Sequence, residues 1–223
     1  MNDNMTLEEL RQGYAKIAGI YEAAIREINA RLQTLDDEFS VKHQHNPIHH
    51  LESRVKSLSS IVRKLHEAGT PISIDNAKKT LHDIAGVRVV CRYVDDIYKI
   101  ADLLLQQDDV MLILQKDYIK KPKPNGYRSL HIVVDVPVYM SQGKLYIPVE
   151  IQIRTVAMDF WATLEHGIRY KATGEVPQQL VDELRECANV ITETDYKMQG
   201  IFRALQKLHN RSDIPTEDIV ERK

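Results

Sequence analysis

One segment of the chain alternates branched apolar residues with polar residues that could act on a phosphate ester. Between residues 145 and 154, the polar positions are Glu150, Gln152 and Arg154. In a strand these side chains would share one face and place an acid, an amide and a cation in a row. A carboxylate there can hold Mg²⁺ or accept a hydroxyl proton. The alternative interpretation is the solvent-exposed face of an antiparallel sheet.

A second candidate acid is Asp83, which precedes a predicted strand that contains Arg88. An acid at a strand start can be a metal ligand or a plain turn residue. Strict alternation puts Asp83 and Arg88 on opposite faces, whereas a bulge at Gly86 would bring them together. His82 and Asp83 also form the dipeptide of metal-dependent phosphohydrolases. Those sites need further ligands on neighbouring helices, and the pattern here is a strand entrance, so we discount that interpretation.

Cationic residues are concentrated in one loop. The cations between residues 116 and 128 are Lys116, Lys120, Lys121, Lys123 and Arg128, with Asp117 as the anion. In a chain with a formal net charge of −2, this cluster indicates a small polyanionic ligand, and a solvated loop is the alternative. The loop also holds an Asn125-Gly126 turn and Tyr127, whose ring could stack on a purine. His131 follows on the next predicted strand and could donate to a phosphate.

A helix predicted over residues 53–68 would carry Lys56, Ser60 and Lys64 on one face, because they are four residues apart. Arg54 falls near the apolar stripe of that helix, where a guanidinium needs a partner or a flat ring. The alternative is an ordinary amphipathic helix with a solvated basic face. The chain has neither G-x-x-x-x-G-K-[ST] nor G-x-G-x-x-G, so side chains must hold the phosphates of any bound nucleotide.

The elements that position these residues follow from hydrophobic periodicity. Predicted helices cover residues 6–35, 53–68, a short stretch after Asp75, 95–107, 156–170 and 177–208. Predicted strands cover residues 84–91, 110–119, 130–139 and 144–153, and residues 43–50 are predicted as a loop. The tail from Ser212 is polar and expected to fray. This order predicts an α+β fold with a mostly antiparallel sheet flanked by helices.

Composition excludes several classes of protein. Hydrophobic residues make up 43% and charged residues 28% of the chain, as in soluble globular proteins. We expect no membrane span, since apolar runs stay below about 18 residues, and no secretory signal, since the start lacks a basic and then apolar stretch. Cys91 and Cys187 form no metal or disulfide pattern, so we expect a cytoplasmic protein.

The order of these motifs resembles the synthetase domain of the RelA/SpoT family. The matching motifs are Arg54-Val-Lys56-(x)₃-Ser60-(x)₃-Lys64, His82-Asp-Ile-Ala-Gly-Val-Arg88, Lys116-Asp-Tyr-Ile, Lys123-Pro-Asn-Gly-Tyr-Arg-Ser-Leu-His131, Glu150-Ile-Gln-Ile-Arg-Thr155 and Asp159-Phe-Trp-Ala-Thr-Leu-Glu-His166. The resemblance covers residues 46–171. The flanking helices and the short chain look like a stand-alone small alarmone synthetase, and Asn46-Pro-Ile-His-His and Ala157-Met-Asp-Phe-Trp look most like the RelP type.

The resemblance implies a nucleotidyltransferase-like fold and a reaction. Pyrophosphate would pass from ATP to the 3′-hydroxyl of GDP or GTP, with GMP as a third candidate acceptor, and AMP would leave. For ATP, the implied residues are Arg54 and Arg88 around the adenine, and Lys56, Ser60, Lys64 and Lys116 on the phosphates. Asp83 and Glu150 would hold Mg²⁺, and Glu150 would also deprotonate the 3′-hydroxyl. For the guanine nucleotide, the implied residues are Lys123, Asn125, Tyr127, His131 and Asp159, with Lys121 and Arg128 as secondary candidates.

The resemblance also implies an organisation and an assembly. We expect an N-terminal helical extension (1–45), a synthetase domain (46–175) and a C-terminal helix and tail (176–223). No preceding hydrolase domain or following regulatory domain is expected in this length. A sheet domain of about 125 residues is expected to cover the apolar stripes of both terminal helices only in part. We therefore expect these helices to pair with copies of themselves in a ring-like homotetramer.

Two other functions were considered. A non-catalytic guanine-nucleotide sensor would keep Tyr127 but lose Asp83 or Glu150, and both acids are present. A single-stranded RNA-binding module would need several exposed aromatic residues. Only 6% of the residues are aromatic, so we expect no stable nucleic-acid partner. RelQ-type members are stimulated by their product through residues just before the Arg54 motif. Glu52 stands there and would repel an anion, so we expect no such stimulation.

Overall fold

A five-stranded sheet organises the computed structural model, which describes residues 7–43, 45–171 and 176–212. Its strands are β1 (Ile48–Val55), β2 (Ala85–Cys91), β3 (Met111–Asp117), β4 (Leu130–Met140) and β5 (Gly143–Thr155). Their spatial order is β1-β2-β5-β4-β3. The β2–β5 pair is parallel, and the β1–β2, β5–β4 and β4–β3 pairs are antiparallel. The predicted α+β class with a mixed, largely antiparallel sheet is confirmed.

The sheet has one apolar and one polar face because apolar and polar residues alternate along its central strands. The buried residues of β2 and β5 on the apolar face are Ala85, Val87, Val89, Val149, Ile151 and Ile153. The partly exposed residues on the other face are Gly86, Arg88, Glu150 and Gln152. Hydrophobic burial therefore fixes which face of the sheet presents the polar side chains.

The six helices are α1 (Leu7–His43), α2 (Leu58–Glu67), α3 (Ile74–Thr80), α4 (Val94–Leu105), α5 (Val156–Lys171) and α6 (Gln178–Ser212) in the described part of the chain. Helix α1 is longer than predicted and contacts β1, β2, β4 and β5. Its buried residues are Leu10, Ile17, Tyr21, Ala24, Ile25, Ile28, Leu32 and Leu35. Helix α1 lies across four strands and packs most of its predicted apolar stripe into the common core, and the expectation that it also pairs with a copy stays a prediction.

The region before α2 also differs from the prediction. The helix predicted over residues 53–68 begins only at Leu58, and the preceding segment pairs with β2 as strand β1. The Lys56 backbone N–H donates to the Ile84 carbonyl at 2.7 Å, and the Ser57 side chain then caps α2. Arg54 therefore lies on a strand and Lys56 in a turn, so the predicted helical face of Lys56, Ser60 and Lys64 does not form. The loop predicted over residues 43–50 is shorter than expected for the same reason.

Helix α6 has two different sides. Its inner side packs on α5 and α4, where Phe202 stacks on Tyr93 with ring centroids 4.2 Å apart. Leu184 and Ile191 also pack inward, against the cluster around Trp161. The exposed large hydrophobic residues of α6 are Leu180, Val190, Tyr196, Met198, Ile201, Leu205 and Leu208. The predicted polar tail lies almost entirely beyond residue 212, outside the described residues.

None of the helices in the described ranges combines the length and the apolar character that a bilayer span requires.

The packing of α1 gives a stability prediction. Leu32 is fully buried, so Leu32→Ala should lower the free energy of unfolding by about 2–5 kcal/mol through lost burial and a residual cavity. Val41 lies on the same helix with 84% of its surface exposed, so Val41→Ala should change the free energy by no more than about 0.5 kcal/mol. Urea denaturation at one protein concentration measures both. Similar values for the two variants would mean that α1 is not part of the core.

Candidate active site

The polar face of the sheet forms the floor of a cleft with an empty volume of about 580 Å³. Its lining residues are Glu52, Ser53, Arg54, Lys56, Asp83, Gly86, Val87, Arg88, Glu150 and Gln152. In register, Arg54, Gly86 and Glu150 lie side by side on β1, β2 and β5. The structure thus brings five of the expected site residues to one place: Arg54, Lys56, Asp83, Arg88 and Glu150.

Asp83 reaches the cleft from the turn before β2, without a bulge in the strand. The register of β2 runs without a shift from Ala85 to Val90 against both β1 and β5, so the bulge considered at Gly86 does not form. Arg88 shares the polar face with Gly86. Asp83 can still approach this face because it lies outside the strand, where alternation does not constrain it.

Two lysines neutralise Asp83. Lys56 Nζ lies 2.7 Å and Lys64 Nζ 2.5 Å from Asp83 Oδ2. Burial favours the protonated acid, but the hydrogen bonds and charges of the two lysines outweigh burial and hold the pKa of Asp83 below its usual value. One carboxylate shared by two ammonium groups leaves a surplus of positive charge. This corner of the cleft can therefore attract an anion such as a phosphate chain.

Glu150 is held between an amide and an imidazole. Gln152 Nε2 donates to Glu150 Oε2 at 2.8 Å, and His131 Nδ1 lies 3.6 Å from Glu150 Oε1. Burial raises the pKa of Glu150. The hydrogen bonds from His131 and Gln152 lower this pKa by more than burial raises it, so the pKa of Glu150 lies below its usual value. The negative charge of Asp83 acts in the same direction as burial. Glu150 is therefore ionised at neutral pH and can accept a proton.

A second cluster lies where the loop between β3 and β4 meets the sheet. Tyr127 Oη and His131 Nε2 are 2.9 Å apart, so His131 lies between Tyr127 and Glu150. Lys123 Nζ lies 4.8 Å from the Tyr118 ring centroid and 4.7 Å from that of Tyr127. Burial raises the pKa of the Tyr127 hydroxyl, which stays protonated at neutral pH. Tyr118 has no role in the sequence-based predictions, although an aromatic residue beside a basic loop is a usable signal.

Three of the expected ATP-phosphate ligands, Ser60, Lys64 and Lys116, are not among the residues that line the cleft, although Lys64 reaches its edge by pairing with Asp83. Lys116 is exposed on the edge strand β3, where it is the cross-strand neighbour of His131. Ser60 lies in the first turn of α2, with its Oγ 2.9 Å from Ser57 Oγ. The structure places Ser60 and Lys116 around the cleft rather than in it.

Asn125 holds the shape of its own loop. Its Nδ2 donates to Glu165 Oε1 at 3.0 Å on α5, and its Oδ1 accepts from the Tyr127 backbone N–H at 3.2 Å. Both ends of the amide are therefore occupied within the protein. Asn125 positions Tyr127 in this structure, and the expectation of a nucleotide contact gains no geometric support from it.

The same loop is fixed to α6 through Gly126 and Arg128. Gly126 has a φ of 92°, and a Cβ atom there would lie 2.6 Å from Ala188 Cβ. Arg128 donates to the Gly126 carbonyl at 2.9 Å and to Asn189 Oδ1 at 3.0 Å. Arg128, a secondary candidate for a phosphate ligand, thus uses its guanidinium to hold the loop against α6.

Acidic and basic side chains alternate in a row of contacts that leads from the cleft to α5. Arg88 Nη1 donates to Glu52 Oε2 at 2.6 Å, and Arg88 Nε lies 4.0 Å from Asp159 Oδ1. Arg154 Nε lies 2.9 Å from the same Asp159 oxygen, but the two groups are not aligned as a hydrogen bond. Arg154 lies on the polar face as predicted, and its partner Asp159 was not predicted. Glu52 was predicted only to repel an anion, and in the structure it pairs with Arg88.

The contact between Gly126 and Ala188 gives a second stability prediction. Gly126→Ala forces both a strained backbone and a clash, and should lower the free energy of unfolding by about 1–3 kcal/mol. Gly143 also has a positive φ, of 123°, but a Cβ atom there would meet open space. Gly143→Ala therefore isolates the backbone strain, and thermal and urea unfolding should show the smaller effect. An equal loss in both variants would mean that the close contact with α6 adds nothing.

Comparisons with known proteins agree with this geometry. The sequence model of the region found in RelA / SpoT proteins matches residues 53–175. The GTP pyrophosphokinase YwaC of Bacillus subtilis (strain 168) is 47% identical over 182 residues, which cover 82% of this chain and 87% of that protein.

Two crystal structures share the fold. Small alarmone synthetase 2 from Bacillus subtilis superposes with a TM-score of 0.76 at 44% identity, over 83% of this chain and 96% of that chain. Small alarmone synthetase 1 from Bacillus subtilis, bound to its product pppGpp, superposes with a TM-score of 0.79 at 34% identity, over 86% of this chain and 98% of that chain. The family region spans more than half of this chain, and the relative YwaC matches most of the length of this chain. The chain therefore belongs to the RelA/SpoT family.

Proposed function

We propose that this chain is a (p)ppGpp synthetase that transfers pyrophosphate from ATP to the 3′-hydroxyl of GDP or GTP and releases AMP. The observation that carries this proposal is the cleft in which Asp83 and Glu150 face Arg54, Lys56 and Arg88. The relative named GTP pyrophosphokinase and the related synthetase bound to pppGpp support the same activity. GMP is a third acceptor to be tested.

The donor side of the cleft suits ATP. Arg54 and Arg88 carry the guanidinium groups that can stack on a flat ring. Lys56 and Lys64 carry the charge surplus next to Asp83 that would bind the phosphate chain. Ser60 and Lys116, which lie around the cleft, would also contact the phosphates of ATP. Positioning and cationic stabilisation supply most of the catalysis in phosphoryl transfer, so the density of cations is the relevant property.

We further propose that Asp83 and Glu150 hold Mg²⁺. Asp83 and Glu150 line the same cleft, and a divalent cation between them would relieve the repulsion of the two carboxylates. Mg²⁺ usually takes one or two carboxylates and completes its shell with substrate phosphates and water. When bound, the ion would neutralise charge on the phosphates.

The acceptor side is formed by the loop around Tyr127. Its ring would stack on guanine, and Lys123 and His131 would contact the phosphates of the acceptor. Asp159 would accept from the two adjacent N–H groups of guanine, and Arg154 holds its carboxylate in place. The 3′-oxygen then attacks the β-phosphorus of ATP, its proton passes to Glu150, and the bond to AMP breaks.

Replacing the proposed base tests this assignment. Glu150→Gln keeps the size of the side chain but removes its basicity, and should lower turnover by about 10²-fold or more. The assay incubates protein, ATP and Mg²⁺ with GMP, GDP or GTP and separates AMP and guanosine products by chromatography. Glu67→Gln, an exposed position at the end of α2, is the matched control and should keep wild-type turnover. AMP formation without a guanosine product in the wild type rejects the function. Near-normal turnover in Glu150→Gln rejects both roles proposed for Glu150, the base and the Mg²⁺ ligand, and leaves the function standing.

We infer that the chain forms a homotetramer through α6 and a second surface. The exposed apolar stripe of α6 suits pairing with a copy through a two-fold axis. A closed tetramer with two-fold axes needs another self-complementary surface. The edge strand β3 is a candidate, because Met111, Leu112, Ile113 and Leu114 each expose 39–48% of their surface.

Light scattering tests the assembly. A mass near 25.7 kDa at micromolar concentration rejects any oligomer, and a mass near four times that value supports the tetramer. Ile201→Glu combined with Leu205→Glu should shift the protein to smaller species with an unchanged circular dichroism spectrum. Gln206→Glu adds a charge beside the stripe and should leave the mass unchanged. If the double variant unfolds, the stripe belongs to the core of the monomer.

We place the protein in the cytoplasm. Both Cys91 and Cys187 are free thiols, as is usual in a reducing compartment, and this supports the assignment.

A further inference from the structure

Gly86 lies within β2 at the floor of the cleft, at a position where glycine is unfavourable. Glycine weakens a strand interior because it loses more conformational freedom on folding than other residues and packs no side chain. A glycine there usually marks a bulge, a backbone conformation that other residues avoid, or a close approach by another backbone or a ligand.

The structure offers no internal reason for this glycine. The register of β2 is regular through Gly86 on both sides, so no bulge requires it. The glycines with a positive φ among the described residues are Gly69, Gly126 and Gly143. Gly86 is not one of them, so its backbone conformation is one that any residue can adopt. A Cβ atom at Gly86 would have a single neighbour within 4 Å, the Arg54 carbonyl oxygen at 3.8 Å. The same atom at Gly126 would lie 2.6 Å from Ala188 Cβ. Close approach of a ligand is the remaining reason.

The surroundings of Gly86 indicate what kind of ligand fits. Arg54 is its direct neighbour on β1, and Arg88 follows two residues later on the same polar face. Arg88 Nη1 donates to Oε2 of Glu52, its cross-strand partner on β1, at 2.6 Å, and this contact holds the guanidinium in place. The missing side chain therefore leaves a gap beside two guanidinium-bearing residues. A planar, electron-rich ring suits such a gap, because guanidinium groups stack on aromatic faces.

We propose that Gly86 is needed for binding of the donor nucleotide, because its missing side chain forms the slot in which the adenine ring of ATP lies between Arg54 and Arg88. This inference rests on the proposed function, since it concerns the donor of that reaction. A methyl group at this position narrows the slot, and a branched side chain fills it. The acceptor cluster around Tyr127 and the apolar face of the sheet are not affected.

The test is the series Gly86→Ala and Gly86→Val, with separate titrations of ATP and GDP. The KM for ATP should rise in that order, by about 10- to 100-fold in Gly86→Val, the range expected when a base loses its stacking partners. The KM for GDP should stay within about twofold. Binding of the non-hydrolysable analogue AMPCPP, measured by calorimetry, should weaken in parallel. The melting temperature should be unchanged or higher, because the added atoms enter open space and branched residues favour strands.

Gln115→Val is the matched control, since it adds a branched side chain at an exposed position of β3 away from the cleft. It should keep the wild-type KM for both substrates. If the wild type forms no guanosine product, the proposed function fails. If the wild type is active and Gly86→Val keeps its KM for ATP, or raises both KM values equally, the inference about Gly86 is overturned. A lower melting temperature in Gly86→Val overturns it as well, because the space at Gly86 would then be needed for folding.

Discussion

The register of β2 between β1 and β5 is the constraint on which the rest of the site depends. It places Arg54, Gly86 and Glu150 in one row across three strands. Because side chains alternate between faces, a slip of one residue would bury these groups and expose the core residues Val87 and Ile151. Packing against α1 excludes this slip, since the apolar face is almost completely buried. The hydrophobic core thus sets the geometry of a polar site on the opposite side of the sheet.

The charges of the site are paired before any nucleotide arrives. Asp83 is shared by Lys56 and Lys64, Arg88 is anchored by Glu52, and Arg154 faces Asp159. Such pairs reduce the desolvation cost of charges that lie partly or fully out of water. They also hold each side chain in a defined position, so substrate groups can exchange with protein partners without a large rearrangement. Binding of a triphosphate would replace Asp83 as the partner of the two lysines.

Helix α6 links the loop around Tyr127 with the surface of the protein. Its inner side supports the loop through Ala188 and Asn189, and Trp161 of α5 donates to the Leu184 carbonyl at 2.9 Å. Its outer side exposes an apolar stripe. If that stripe pairs with a copy, assembly would stiffen the same helix that holds Gly126, so oligomerisation and acceptor binding would share one structural element.

The sequence by itself determined the features that depend on local periodicity and residue type. The alternation around Glu150 and Gln152, the helical stripe of α6 and the basic loop with Tyr127 were all predicted, because neighbouring residues carry those signals. Only the tertiary structure decided the features that depend on distant partners. Residues 48–55 form a strand because β2 provides hydrogen bonds, and propensity along the chain does not contain that information. The same holds for Asn125, which pairs with Glu165, and for Gly86, whose role is visible only once β1 and β5 lie on either side of it.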